Sequence, residues 1–299
     1  AQARLGPADS RSRSAMAASG AMASAASVAG AALPRLRLSY LPFRAMAETA
    51  RFILAHGGVA YEDEVVWGRH FQQVRQKGDA LPFDKVPVIT DLGTGLVIAQ
   101  SGSIARYAAR LVGCYDTSPG GDLAWTAYND SIFELGQEMC TINPAINCYV
   151  GQQHEKVMHW YFGDCFFGNM AFLERQMKTV VLPRFGNEGN VPFFGGKDVP
   201  SFADFNIFHH VDNAMTGYSS MVEASDASAL LEPFPLMRAW ERRMRAAEFS
   251  PGFGAYLAQR PHLVGIGSDP GLEDAAGTTV RQRLGEGRCW LRDGLFCEE

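Results

Sequence analysis

The 299-residue chain is 47% hydrophobic and 20% charged, an ordinary composition that can bury a core and is long enough for one large domain or two small ones. A formal charge of −5 with no long run of Lys or Arg excludes the electrostatic footprint of a nucleic-acid binder. The six cysteines (Cys114, Cys140, Cys148, Cys165, Cys289 and Cys297) make no C-x-x-C pair and no zinc spacing, so a reduced compartment and no metal are expected.

Residues 1–35 are rich in Ala, Ser, Met and Gly and carry Arg4, Arg11, Arg13 and Arg35 against the single acid Asp9. That is the composition of a plastid or mitochondrial transit segment, or of a disordered leader on a cytoplasmic protein. Its small-residue run over 15–33 has too little transfer energy for a membrane span. Residues 35–40, RLRLSY, alternate like a strand, and 45–56 place Ala47, Ala50, Ile53 and Leu54 at helical spacing before Gly57 and Gly58. A second strand is expected over 61–66, then a loop or short helix over the polar 68–80.

The stretch LPFDKVPVIT, residues 81–90, sets Pro87 inside a strand-like run. Proline cannot donate to a ladder, so Pro87 is expected to open a strand over 88–91. After a turn at 92–95 come a strand over 96–99 and a helix from Ser101 to Leu111. The pattern is β-α-β-α-β-β-α. Residues 113–121 are the expected linker to an all-helical domain with helices over 123–142, 154–180, 201–216 and 235–247. Residues 268–299 read as an irregular extension outside either core. The fold class is α/β plus all-α: a thioredoxin-like domain over 36–112 and a helical bundle over 122–267.

Four stretches in this order resemble the cytosolic glutathione transferase superfamily, in its tyrosine-type, sigma-like branch: LSYLPFRAMAETARFIL with Tyr40, Arg44, Ala47, Glu48 and Arg51; LPFDKVPVIT with Pro87; AQSGSIARYAAR with Gln100 and Ser101; and VPSFADFNIF in the helical half. The likeness covers about 36–267. It implies a cis bond before Pro87, which turns the Val86 backbone outward to pair with an extended peptide as an added strand does. In relatives that peptide is glutathione, the expected co-substrate.

Gln100 and Ser101 stand at a strand-to-helix junction, where Ser101 can cap the helix and the first N–H groups favour the γ-glutamyl carboxylate. Tyr40 is the expected catalytic residue. A thiol with pKa about 8.5 is mostly protonated at neutral pH, and a phenolic O–H donated to the sulfur favours the thiolate. Trp67 and Lys77 fall in the loop where relatives hold the glycyl carboxylate, with several extra residues between Trp67 and Leu81; Lys85 and Val86 complete the expected binding set. Phe43, Tyr149 and Phe253 are candidate walls for an apolar electrophile.

Ser201 and Asp204 form a capping box whose loss costs on the order of 1 kcal/mol. Glu134 or Glu138 could reach a partner subunit's glutathione in a homodimer, although a solvated helix face also accounts for them. HEKVMH, 154–159, has one residue too many for a zinc-protease helix. Met46 replaces an arginine of the family's pattern, Ala45 replaces its glycine, and Asp84 adds negative charge near the receptor backbone. The expected activity is glutathione transfer to an apolar electrophile. Alternatives are a glutathione-dependent isomerase and a catalytically weak scaffold subunit whose terminal extensions meet protein partners.

Overall fold

A computed structural model describes residues 33–78, 81–116, 121–142, 160–161, 165–186, 190–196, 198–222, 227–264, 269, 271–279, 281–282, 290–292 and 295–297. Tyr149 and the segment 154–159 lie outside the described residues, as do most of the leader and part of the expected linker. From Arg35 onward the chain is one compact unit.

Its sheet has the order β2-β1-β3-β4. Strand β1 (Leu36–Tyr40) runs parallel to β2 (Tyr61–Val65) and antiparallel to β3 (Val88–Asp91), which pairs antiparallel with β4 (Val97–Ala99). The period of two in LRLSY buries Leu36, Leu38 and Tyr40 on one face. Against that face lie α1 (Glu48–His56), entered through a 3-10 turn at Ala45–Ala47, and α3 (Ser101–Val112), closed by Gly113 at φ 79. The expected loop or short helix after β2 is α2 (Gly68–Gln76). The β-α-β-α-β-β-α order is observed as expected.

The helical part begins with α4 (Leu123–Ile142), whose first N–H groups at Ala124 and Trp125 donate to the Asp122 carboxylate at 3.0 and 3.2 Å. The helix expected over 154–180 is described as α5 (Phe166–Gln176), running on through a π-helical turn at Met177–Val181 into Leu182–Phe185. Helix α6 (Phe202–Val222) is longer than expected, and α7 spans Pro235–Ala246. Sequence reading missed α8 (Pro251–Gln259), although its signal is present: Pro251 opens it and the Ser250 hydroxyl accepts from Phe253 N–H at 3.3 Å. The extension is not wholly irregular, since β5 (Trp290–Arg292) and β6 (Leu295–Cys297) form an antiparallel hairpin. Among the described residues no helix is long and apolar enough to cross a membrane.

An aromatic core joins the two halves. Phe52 of α1 meets Phe208 and Phe253 at ring-centroid distances of 5.9 and 5.1 Å, and Phe205 meets Phe253 at 5.2 Å. Phe253, a candidate electrophile wall from the sequence, is therefore a core residue with no exposed surface.

Histidines in this core stay neutral. Burial pushes His210 down to about 3 and His56 to about 4, and holds His209 well below its ordinary value, with His210 and Arg260 adding to the effect. The unfolded chain takes up these protons near pH 6.5, whereas the folded chain does so only near pH 4 or below. Between those limits the unfolded state binds more protons, so stability falls with falling pH, by about 1.4 kcal/mol per pH unit for each fully shifted site. Thermal unfolding is expected to be level near pH 7–8 and to weaken below about pH 6.5, with His210→Gln making the decline shallower. A decline confined to the carboxylate range would contradict this.

Candidate functional site

Strand register brings the site together. Tyr40 ends β1 opposite Val65, the last residue of β2, and Trp67 follows two positions later. Ser39, the neighbour of Tyr40, is opposite Val88, which opens β3, and Val88 is opposite Ala99, which closes β4 before Gln100. Tyr40, Trp67, Val86, Pro87, Gln100 and Ser101 thus collect at one end of the sheet.

The Val86–Pro87 peptide is cis. The ladder ends at Val88, and among the described residues the Val86 backbone N–H and C=O take no hydrogen bond. Its side chain is half-buried between two apolar clusters. Lys85 is exposed beside it, and Asp84, exposed at φ 52, occupies the turn closed by its N–H to Leu81 C=O at 3.0 Å.

At the next junction Gln100 has φ 70 and ψ 117, a conformation that costs a non-glycine residue and that clusters at ligand sites. Gln100 is the N-cap of α3, with no side-chain capping bond, and Ser101 is the first helical residue. This corrects the expectation that Ser101 caps the helix. Its hydroxyl instead accepts from the Gln137 side-chain amide of α4 at 3.1 Å and keeps its own proton to donate. The first N–H groups of α3 have no intrahelical acceptor, and the helix dipole favours an anion at this end. Sequence reading missed Gln137, since nothing at position 137 announces a neighbour 36 residues earlier.

Tyr40 is 4% exposed, and its hydroxyl accepts the Met46 backbone N–H at 3.2 Å. The substitution of Met46 therefore leaves a main-chain donor on the phenol oxygen. Ala45, at φ 28, takes the tight turn that the resembled pattern gives to glycine. The turn survives because both flanks are tied down. On one flank, Arg51 donates to the Phe43 C=O at 3.0 Å and forks onto Asp63 at 3.0 and 3.2 Å, with Glu48 at 3.4 Å. On the other, Leu263 N–H donates to Pro42 C=O at 2.8 Å and Arg44 N–H to Leu263 C=O at 2.9 Å. Burial alone would raise the Asp63 carboxyl, but the hydrogen bond from His262 at 2.7 Å and the Arg51 guanidinium outweigh it and hold it below the usual range.

Trp67 packs edge-on against Phe43 at 5.4 Å, and its indole N–H donates to the Glu273 C=O of the C-terminal extension. Lys77 is the exposed C-cap of α2, about 15 Å along the helix axis from Trp67, so the structure does not bring these two residues together. Glu134 pairs with Arg106 of the same chain, which also holds Asp130 at 2.9 Å. Among the described residues no three His, Cys, Asp or Glu side chains gather as a metal site.

No protein-family model matches the chain. Over 229 residues it is 25% identical to hematopoietic prostaglandin D synthase of Gallus gallus, covering 77% of this chain and 98% of that protein. Glutathione S-transferase P of Caenorhabditis elegans is 28% identical over 177 residues, covering 59% of this chain and 76% of that one. In structure, the Onchocerca volvulus pi-class glutathione S-transferase superposes with a TM-score of 0.61 at 21% identity, covering 78% of this chain and 99% of its own. Rat hPGDS complexed with a quinoline gives 0.58 at 21% identity, covering 77% and 100%. The fold is therefore that of the cytosolic glutathione transferases, a thioredoxin-like part followed by helices, and the curated relatives set the chain beside that superfamily in sequence as well.

Proposed function

We propose that the chain is a glutathione transferase of the tyrosine type, sigma-like and homodimeric, which activates the glutathione thiolate for attack on an apolar electrophile. The observation that carries this reading is the register-built end of the sheet, where an unpaired stretch of backbone, a helix start and a tyrosine hydroxyl converge. There the Val86 N–H and C=O pair with the cysteinyl residue of the peptide. Ser101 and the N-terminus of α3 take the γ-glutamyl carboxylate, with Gln137 orienting the Ser101 hydroxyl.

Tyr40 donates its O–H to the sulfur. The Met46 N–H on the same oxygen polarises that donor and so strengthens its bond to a thiolate. Lys85 is near enough in sequence to offset Asp84, while the Lys77 role falls away with its distance from Trp67. Similarity to a prostaglandin D synthase supports isomerisation as a second reading of the same site; both readings need the same thiolate.

The test is a titration of the full chain with glutathione, following thiolate absorbance against pH. Bound glutathione is expected to ionise at least one unit below the free-thiol value of about 8.5. Absence of binding, or an unshifted thiol, would refute the enzyme reading and favour the scaffold.

A further inference from the structure

Resting on the glutathione reading, a second feature of the site concerns its Trp67 end. The indole N–H that would serve the C-terminal carboxylate of the peptide already donates to the Glu273 C=O. The segment supplying that carbonyl is held in a turn by its own bonds. Glu273 bridges Thr279 in antiparallel fashion, Asp274 N–H donates to Thr278 C=O at 3.0 Å, and Gly277 N–H donates to Asp274 C=O at 3.1 Å. Inside this turn the Asp274 carboxylate accepts the Ala276 and Thr278 N–H groups at 2.8 and 2.9 Å, and the residue is only 5% exposed.

The turn lies on the start of α2. A Cβ added at Gly68 would sit 3.5 Å from the Asp274 carbonyl carbon and oxygen, so the two backbones are in direct contact. Leu272 packs against the main core. Between the two segments is a cleft of about 650 Å³ lined by Trp67, Gly68 and Arg69 on one side and Asp269, Glu273 and Asp274 on the other.

A carbonyl oxygen has no proton to offer a carboxylate. Among the described residues the cleft is lined by the acids Asp269, Glu273 and Asp274 and the single base Arg69, so a free carboxylate entering it meets a spent donor and a mainly acidic lining. An amide or ester end carries no charge, and an amide N–H can donate to the acceptors present. We propose that residues 271–279 set the ligand preference of the site by covering Trp67, so that the favoured thiol is a γ-glutamyl-cysteinyl peptide whose C-terminal carboxylate is capped as an amide or ester.

Calorimetric titration of the full chain with glutathione and with its glycyl ethyl ester tests this. The ester is expected to bind at least as tightly as the free acid. Asp274→Ala removes the acceptor of two turn N–H groups and loosens the segment from Trp67; in that variant glutathione should gain roughly tenfold, about one charge-assisted hydrogen bond, while the ester does not. Adding Trp67→Phe should remove the gain. A tenfold preference of the unaltered chain for the free acid would overturn the proposal, as would a gain in Asp274→Ala that persists without the indole. Failure of both thiols to bind would instead overturn the glutathione reading, and this inference with it.

Discussion

Tyr40→Phe is expected to return the thiol pKa of bound glutathione toward about 8.5 and to lower kcat/KM for a chlorinated aromatic electrophile roughly ten- to a hundredfold. A hydrogen bond to a charged group is worth about 1.5–3 kcal/mol, and 1.4 kcal/mol is a factor of ten in rate. Folding should change little, because the ring stays in the core, although the Met46 N–H loses its acceptor. The pH profile of kcat/KM separates this effect from a structural one. Loss of thiolate stabilisation moves the acid limb upward, whereas a packing defect lowers the whole curve without moving it. An unshifted limb with a full-length loss of rate would remove Tyr40 from the chemistry.

Asp204→Ala is expected to lower the unfolding free energy by about 3–5 kcal/mol, well above the cost of losing a helix cap. Its carboxylate is fully buried and accepts from Phe194 N–H, Gly195 N–H, Ser201 N–H, the Ser201 hydroxyl and the Trp240 indole. Burial pushes the Asp204 carboxyl upward, while those donors favour its charged form. Alanine leaves several buried donors without an acceptor, and Asp204→Asn, which keeps one amide oxygen, should cost less. Urea unfolding measures both. A cost near 1 kcal/mol for alanine would show a simple cap with replaceable neighbours.

The same residue shows where sequence reading stops. Ser201 and Asp204 stand three apart, and that spacing alone announces a capping box, which the Ser201 N–H to Asp204 bond at 2.9 Å provides. Nothing in the local pattern announces Trp240, 36 positions on, or the 194–195 backbone. Helix α7 is a parallel case: its Leu236 and Met237 N–H groups donate to the Glu174 carboxylate of α5 at 3.1 and 2.9 Å, a cap borrowed across the bundle. Lys77 lies apart from Trp67 for a related reason. The extra residues after Trp67 fold into α2, and a helix carries its C-cap away from its start at 1.5 Å per residue.

What the amino-acid order determined by itself is whatever depends on neighbours within a few positions. The alternation in LRLSY, the helical spacing in 45–56, the proline of LPFDKVPVIT and the Gln100-Ser101 junction were enough for the strand and helix order and for most of the residues at the sheet end. Tertiary structure alone decided which donors those residues keep. It gave the Tyr40 oxygen a main-chain N–H, the Ser101 hydroxyl a glutamine amide from α4, and the Trp67 indole a carbonyl from the C-terminal extension. The physical reason is that periodicity and turn chemistry act over one or two turns of chain, whereas a hydrogen bond joins any donor and acceptor that packing brings within about 3 Å, whatever their separation in sequence.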